Sequence, residues 1–274
     1  MSQNKPIADA FESNAGDDFH ILWAARKALT LIAPKTNLKA LAVEGPGKDE
    51  AEEVDRSGGK LLSIDVAEYY GSGKFAECEK VIFSQLKYST RRSTETWTAS
   101  RICQGKKSGS KGSIIERLAD TLSAYVKKYA IDNVRGRLEL KLVSNRPVAE
   151  KLSKALKEAQ SHMSNGKPIL WNALKKSLSK TSVDELEKLY KASKLTSGAF
   201  TTFLSMLNFD DCSTGSRFEH EMSIIRELAN FDDPEVRKQY LELRSLIEKR
   251  MLPEGRDLDL PPKVGPFFKL GIGL

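Results

Sequence analysis

Two apolar runs joined by a short glycine-containing connector constrain the fold of this chain more than any other stretch. Residues 61–70 read LLSIDVAEYY, residues 81–90 read VIFSQLKYST, and GSGKFAECEK separates them. Val, Ile, Phe and Tyr favour strands, and the Gly-Ser-Gly at residues 71–73 is typical of a hairpin turn. Because alternate side chains of a strand share a face, we expect Gln85 and Lys87 to project from the same side. The sequence therefore predicts a β-hairpin here.

Polar side chains within these runs are the first candidate functional residues. Asp65 falls in the middle of the first predicted strand, where an isolated carboxylate is costly to bury. An acidic residue on one strand, followed by a Gln-x-Lys pair on the next, is the arrangement that a metal-dependent phosphodiesterase needs. An earlier apolar run, LKALAVEG at residues 38–45, predicts a preceding strand with Glu44 near its C-terminal end. Glu44 is either a solvent-facing charge before a turn or a carboxylate adjacent to Asp65 across the sheet, and we favour the second.

Asp65 and the Gln85-Leu86-Lys87 segment resemble the PD-(D/E)XK signature of the restriction-endonuclease-like superfamily. Two positions depart from it: Ile64 stands where the signature has proline, and Gln85 replaces the second acidic residue. The Mrr-like branch of the superfamily often carries Gln-x-Lys, so the second departure is similar to a known variant. A closer likeness is to the double-stranded DNA endonuclease domains of bacterial anti-phage systems, which occur in CD-NTase-associated nucleases and at the N-termini of antiviral STAND NTPases. The resemblance covers about residues 11–147.

This resemblance implies an α/β fold with a restriction-endonuclease-like core, in which a helix, three strands, a helix and a strand build a mixed central sheet flanked by helices. It also implies metal-dependent hydrolysis of phosphodiester bonds in double-stranded DNA, by an anti-phage effector that assembly activates. Asp65, Gln85 and Lys87 would be catalytic, and Glu44, Asp65 and Gln85 would hold Mg²⁺, or Mn²⁺ in its place. The expected partners are double-stranded DNA and either further copies of the chain or a partner NTPase or sensor chain.

The chemistry of such a site accounts for these residue types. Carboxylates are hard oxygen donors for Mg²⁺, and a bound Mg²⁺ polarises the phosphate and lowers the pKa of a coordinated water. Gln85 can offer its carbonyl oxygen, or the Leu86 backbone carbonyl can take that place, while Lys87 would orient the water and stabilise developing negative charge. Three alternatives stay open: a structural ion pair between Lys87 and Asp65, a catalytically weak or inactive site that holds DNA without cutting it, and a protein-interaction subunit of a larger defence complex.

The stretch after the second predicted strand is basic and polar. Arg91, Arg92, Arg101, Lys106 and Lys107 are interspersed with hydroxyl side chains, which suits contacts to the phosphates of a DNA backbone. The formal net charge of +7 also favours an anionic partner. A solvated loop is the competing interpretation, above all for residues 106–111. Within the same stretch, Trp97 either stacks on a base or anchors the loop against the core, and we favour anchoring.

Helical patterns surround the predicted strands. The first helix is predicted to be capped within residues 14–18, to continue from Phe19 and to end at Pro34. Glu12 and His20 on this segment are left out of the catalytic set. Ser113, with Glu116 three residues later, predicts the start of a second helix, and residues 137–145 predict a further strand of the sheet.

The remaining sequence predicts a mostly helical C-terminal region. We expect a nuclease core over residues 1–147, a helical region over 148–252 that completes or flanks it, and a linker or docking tail over 253–274. Within the helical region, the patterns predict helices over residues 148–161, 171–178, 183–190, 218–231 and 234–251, and a strand over 200–208. Ser182 is predicted to cap the third of these helices, and His220 is expected to face solvent.

Several classes of protein are disfavoured. The three cysteines lie far apart without a CxxC pair, which indicates a reducing compartment and argues against a structural zinc site. The first residues lack the apolar segment of a signal peptide and no run reaches a membrane-spanning length, so we expect a cytoplasmic protein that does not enter a membrane. Gly71-Ser72-Gly73-Lys74 lacks the earlier glycine and the Ser/Thr of a P-loop, so ATP hydrolysis is not expected.

Overall fold

A computed structural model describes residues 5–33, 35–47, 50–52, 64–105, 112–163, 169–213, 215–229 and 236–251. The side chains of residues 5–13 and 32 are not among the described ones. The side chain of Glu12 therefore lies outside what the structure describes, as do Lys106, Lys107, most of the acidic segment 48–60 and the tail 253–274.

The described residues form an α/β arrangement. In chain order the elements are α1 (Lys5–Ile32), β1 (Leu38–Val43), β2 (Val66–Tyr70), β3 (Lys80–Lys87), α2 (Ala99–Ile102), α3 (Ile114–Tyr129), α4 (Ile131–Val134), β4 (Leu138–Ser144), α5 (Glu150–Met163), α6 (Trp171–Leu174), a 3₁₀ turn (Lys175–Ser177), α7 (Lys180–Ser193), α8 (Ser197–Met206), β5 (Leu207–Asn208), α9 (Arg217–Ala229) and α10 (Val236–Met251). No helix in the described ranges is both long and apolar enough to cross a membrane.

The strands form one mixed sheet in the order β1-β2-β3-β4-β5. The first three strands run antiparallel, with Val66 opposite Ser84, whereas β3, β4 and β5 run parallel, with Lys87 opposite Ser144. The predicted α/β class, with a mixed sheet flanked by helices, is confirmed. The predicted hairpin is also confirmed: residues 71–79 join β2 to β3, and the turn begins at Gly71 with a φ of +82° that L-residues rarely adopt.

Alternating side chains of the strands enter two separate cores. Ala67, Tyr69, Phe83, Leu140 and Leu142 pack in one cluster with residues of α3 and of α5 to α8. The opposite face supplies Val66, Leu86 and Val143 to a second cluster with α1, α9 and α10. Because burying each large apolar side chain contributes about 1.5–3 kcal/mol, both faces hold the sheet firmly between helical layers.

The first helix is longer than the sequence pattern predicts. It begins at Lys5, so the predicted capping residues 14–18 lie within it, and it ends at Ile32, before Pro34, which is outside the described residues. Asp18 does not act as a cap because its carboxylate has partners on other helices: Arg217 Nη1 donates to Oδ2 at 2.8 Å, and Arg244 pairs with Oδ1. At the other end of α1, Lys27 Nζ lies 3.3 Å from the buried carboxylate of Glu68 on β2. These contacts fix α1 on the sheet.

Two predictions for the C-terminal half are wrong in detail. Residues 200–208 do not form a strand: most of them belong to α8, and only Leu207 and Asn208 join the sheet. Phe200, Phe203 and Leu204 are spaced at i, i+3 and i+4, and as a helical stripe they all reach the core. Ser179, rather than Ser182, caps α7, because its side chain accepts from the Ser182 N–H.

The expectation that His220 faces solvent is also wrong. Its side chain is 1% exposed and lies in the interface between α9 and α1. The imidazole meets Phe19 and Trp23 edge-on, with ring centroids 5.5 Å and 5.7 Å away. Glu219 and Glu221, which flank His220 in the sequence, do not determine its environment, because residues beside each other on a helix point in different directions.

Candidate active site

The ends of three strands bring the predicted site residues to one end of the sheet. Glu44 follows β1, Asp65 precedes β2, and Gln85 and Lys87 end β3. The Glu44 N–H donates to the Asp65 carbonyl at 2.8 Å, and the Asp65 N–H donates to the Ser84 carbonyl at 2.9 Å. The predicted adjacency of Glu44 and Asp65 is therefore observed, whereas Asp65 lies at the start of its strand and not in the middle.

The carboxylate of Asp65 is anchored on the Gln-Leu-Lys segment itself. Its Oδ2 accepts a hydrogen bond of 2.5 Å from the Leu86 N–H, and the side chain is 16% exposed. A charge-assisted bond of this kind holds the carboxylate in one orientation. Asp65 is thus fixed between Glu44 on one neighbouring strand and the residues of β3 on the other.

Lys87 is half-buried at the last position of β3. Its Nζ donates to the Leu86 carbonyl at 2.8 Å. The Leu86 N–H binds Asp65, so the backbone of Leu86 contacts both the Asp65 carboxylate and the Lys87 ammonium group. The side chain of Leu86 is fully buried in the second core, which fixes this backbone. The ammonium group therefore stays at the C-terminal end of β3, the end of the sheet at which Glu44 and Asp65 also lie.

His20 is a member of this cluster that the sequence analysis left out. Its Nδ1 lies 3.8 Å from Glu44 Oε1, and its Nε2 lies 4.0 Å from Asp65 Oδ2. The side chain is 17% exposed, and the adjacent Phe19 is fully buried, which fixes the rotation of α1 about its axis. In the sequence, the only sign of this role is a histidine on the helix before the sheet.

Arg117 is the second residue that the sequence analysis missed. It projects from the first turns of α3 toward Gln85, whose side chain is fully buried. With the amide oxygen facing the guanidinium, Gln85 Oε1 accepts from Arg117 Nη2 at 2.5 Å and from Nη1 at 3.3 Å. Burial lowers the pKa of Arg117 from its ordinary value, and the charge of the nearby Asp65 opposes that shift. The helix cap predicted at Ser113, which accepts from the Glu116 N–H, places this first turn.

The turn after Glu44 is linked by hydrogen bonds to a buried carboxyl group. Glu50 accepts hydrogen bonds from the hydroxyls of Tyr69 and Tyr125 and from the Phe75 N–H. Tyr69 in turn accepts from the Gly47 N–H at 3.3 Å. Burial raises the pKa of Glu50, against the hydrogen bonds that favour its charged form. The acidic and polar composition of residues 48–60 predicts an exposed loop, and for Glu50, which is buried, that prediction is wrong.

The basic stretch after β3 is held beside the site by residues that follow β4. Asn145 exchanges two hydrogen bonds with the backbone of Ser89, at 3.1 Å and 2.9 Å. Trp97 Nε1 donates to Ser144 Oγ at 3.0 Å, and the guanidinium of Arg146 stacks 4.0 Å above the indole ring. Trp97 therefore anchors the loop, as predicted.

The predicted DNA-contacting arginines differ in their environment. Arg91 and Arg92 are exposed, whereas Arg101 is ion-paired with Glu95 in the same loop. Arg146, which the sequence analysis did not single out, is 5% exposed and donates from Nε to the Glu95 carbonyl at 2.8 Å. Arg91 and Arg92 thus expose their side chains beside the site, while Arg101 and Arg146 brace the loop that carries them.

The donor set of the site is small. Within the described part of the chain, no group of three or more His, Cys, Asp and Glu side chains is positioned to hold a metal ion. A cation bound here would need main-chain or amide oxygens in addition to Glu44 and Asp65. A cavity of about 690 Å³ lies elsewhere, between α5 and the β4–β5 edge, and none of the candidate site residues lines it.

Comparison of the sequence with models of known protein families finds no match, and neither does comparison with curated proteins. The functional interpretation therefore rests on the geometry of Glu44, Asp65, Lys87, His20 and Arg117.

Proposed function

We propose that this chain is a metal-dependent endonuclease that hydrolyses phosphodiester bonds of double-stranded DNA. The observation that carries the proposal is the hydrogen bond between Asp65 and the Leu86 N–H, which joins the acidic residue to the Gln-x-Lys segment in three dimensions. Glu44 and Lys87 lie at the same end of the sheet. Two carboxylates beside a lysine are the groups that phosphodiester hydrolysis with a divalent cation requires.

The course of the chain supports a restriction-endonuclease-like core. An antiparallel β1-β2-β3 unit is followed by helical residues and by β4, which returns parallel to β3. This is the order of elements that the resemblance to the PD-(D/E)XK superfamily implies. In sheets with parallel strands, ligands bind outside the carboxyl ends, which is where Lys87 and Asn145 lie.

The residues present fit Mg²⁺, with Mn²⁺ as an alternative. Glu44 and Asp65 offer carboxylate oxygens, and the Leu86 carbonyl supplies a third hard donor next to them. Among the described residues, no donor is hydrogen-bonded to Asp65 Oδ1. When bound, the cation would neutralise charge on the phosphate and make a coordinated water more acidic.

The protein residues around the cation position have distinct tasks in this proposal. Lys87 holds its ammonium group at the Leu86 carbonyl, from which it can donate to a phosphate oxygen or orient the attacking water. His20 keeps a ring nitrogen within 4.0 Å of each carboxylate and so restrains both. Gln85 contributes through Arg117.

DNA contacts beyond the scissile phosphate are assigned to the basic loop. Arg91 and Arg92 are exposed on it, and Lys106 and Lys107, which belong to the same proposal, lie outside the described residues. Cutting both strands together needs two sites, so the proposal includes either a homo-oligomer or a partner NTPase or sensor chain. The role as an anti-phage effector activated by assembly rests on the resemblance alone.

A second candidate function is a subunit that binds DNA or a protein partner without cutting. The observation in its favour is Gln85, whose neutral amide faces Arg117 and stands where the signature has its second acidic residue. Metal binding separates the two candidates, since a site that only holds DNA needs no divalent cation.

Plasmid cleavage tests the proposed function. Purified protein is incubated with supercoiled plasmid and Mg²⁺ or Mn²⁺, with EDTA and Asp65→Asn as the negative arms. Asp184→Asn, at an exposed position on α7, is the matched control. Cutting by the wild type and the control that disappears in both negative arms supports the nuclease. Cutting that persists in Asp65→Asn contradicts it.

A further inference from the structure

The contact between Gln85 and Arg117 assigns a function to a residue that the nuclease signature does not include. Gln85 lies on β3 two residues before Lys87, and strand alternation directs both side chains to the same face. Gln85 is fully buried, and with the amide oxygen assigned to the side of Arg117, both terminal nitrogens of the guanidinium donate to it, at 2.5 Å and 3.3 Å. A buried amide thus fixes the direction of an arginine at the end of the sheet.

The chemistry of the acceptor matters for the charge of the arginine. An amide oxygen accepts hydrogen bonds from a guanidinium without cancelling its positive charge. A glutamate at position 85 would instead form an ion pair with Arg117 and neutralise it. Glutamine at position 85 therefore adds no negative charge next to the Arg117 guanidinium.

Arg117 can reach a ligand because it is only partly buried, unlike Gln85. Two of its five N–H groups point to Gln85, and a guanidinium presents its donors as a planar fork that matches the oxygens of a phosphate.

We propose that Arg117 contacts a backbone phosphate of bound DNA, and that Gln85 is the positioning residue that holds the guanidinium without neutralising it. This inference rests on the proposed function, because it takes double-stranded DNA as the ligand. It also explains why a neutral residue occupies the position of the second acidic residue of the signature.

The test measures DNA affinity as a function of salt concentration in EDTA, where no metal-dependent cleavage interferes. Loss of one phosphate contact lowers the slope of log K against log salt by about one unit. We expect this decrease for Arg117→Gln, together with about tenfold weaker binding at moderate salt. Gln85→Glu should lower the slope by a similar amount although Arg117 is still present, because the new carboxylate would form an ion pair with it. The double variant should lose little more than either single one, because both changes remove the same charge.

Controls separate this effect from misfolding and from a general loss of charge. Arg135→Gln removes an arginine beyond the opposite end of α3, where Arg135 contacts Thr202, and should leave the slope unchanged. Arg117→Lys keeps the charge and should keep the slope while binding more weakly. Thermal unfolding of each variant identifies any that is not folded. If Arg117→Gln is not folded, the salt slope of DNA binding is compared between Arg117→Lys and Gln85→Glu instead.

Two results would overturn the inference while leaving the nuclease intact. In one, the wild type binds and cuts DNA, and Arg117→Gln retains its slope and affinity. In the other, Gln85→Glu binds Mg²⁺ more tightly and cuts faster, which would make position 85 a metal ligand. A wild type that shows no salt-dependent DNA binding would remove the proposed function and this inference together.

Discussion

Acid should destabilise this protein through His220. Because burial in the interface between α1 and α9 disfavours the charged imidazole, and the nearby Arg26 adds to this, the pKa of His220 is lowered to about 4. In the unfolded chain the same group has its ordinary value of about 6.5. Between these values the unfolded state binds more protons than the folded state, so the free energy of unfolding falls as the pH falls below about 6.5.

The two pKa values set the size of the effect. At pH 5 the unfolded histidine is almost fully protonated and the folded one is mostly neutral, which removes about 2 kcal/mol of stability. The loss grows to about 3 kcal/mol at pH values below the folded pKa. His220→Phe retains an aromatic ring against Phe19 and Trp23 and cannot ionise, so it should not show this loss.

Urea unfolding of the wild type and of His220→Phe at pH 7 and pH 5 measures the effect. Titration of the other groups is common to both proteins, so the difference between their pH dependences isolates His220. We expect the wild type to lose about 2 kcal/mol more than the variant on going to pH 5. Parallel pH dependences of the two proteins would refute the assignment of a neutral, buried His220.

Three further predictions follow from the structure. Ser113→Ala removes the cap of α3 and should lower the free energy of unfolding by about 1 kcal/mol in urea titrations, with unchanged stability as the contradicting result. Replacing Arg91 and Arg92 together by Gln should lower the salt slope of DNA binding by about two units, and an unchanged slope would exclude the basic loop from the DNA interface. Trp97→Ala deprives Arg146 of its stacking partner and should speed limited proteolysis of the loop at residues 89–98, which would stay resistant if the loop were held by other contacts.

The parts of the site that are local in sequence could be predicted from it. The hairpin, the strand before Glu44 and the Gln-x-Lys segment each follow from strand patterns within a few residues. Pairing of β2 with β1 and with β3 then places Asp65 beside Glu44 and beside the Gln-x-Lys segment, because the C-terminal ends of β1 and β3 lie next to the N-terminal end of the antiparallel β2. The helix capped by Ser113 was predictable for the same reason.

Other features depend on packing that a single sequence does not encode locally. His20 and Arg117 reach the site from helices on opposite faces of the sheet, so their positions depend on how each helix is rotated and tilted. Phe200 and Phe203 suggested a strand because aromatic residues favour strands, yet they also fit a helical stripe that the core selects. Glu50 belonged to a run of acidic residues that suggested an exposed loop, and its burial depends on Tyr69 and Tyr125.

The central claim is that Lys87 acts in catalysis at the end of β3, and single-turnover cleavage by Lys87→Ala tests it most directly. Lys151→Ala, at an exposed position on α5, is the matched control, and Mn²⁺ and DNA binding are measured on the same samples. We expect Lys87→Ala to keep Mn²⁺ binding, to bind DNA with little loss, and to cleave about 10²- to 10³-fold more slowly than the control. Cleavage by Lys87→Ala at the rate of Lys151→Ala would contradict it.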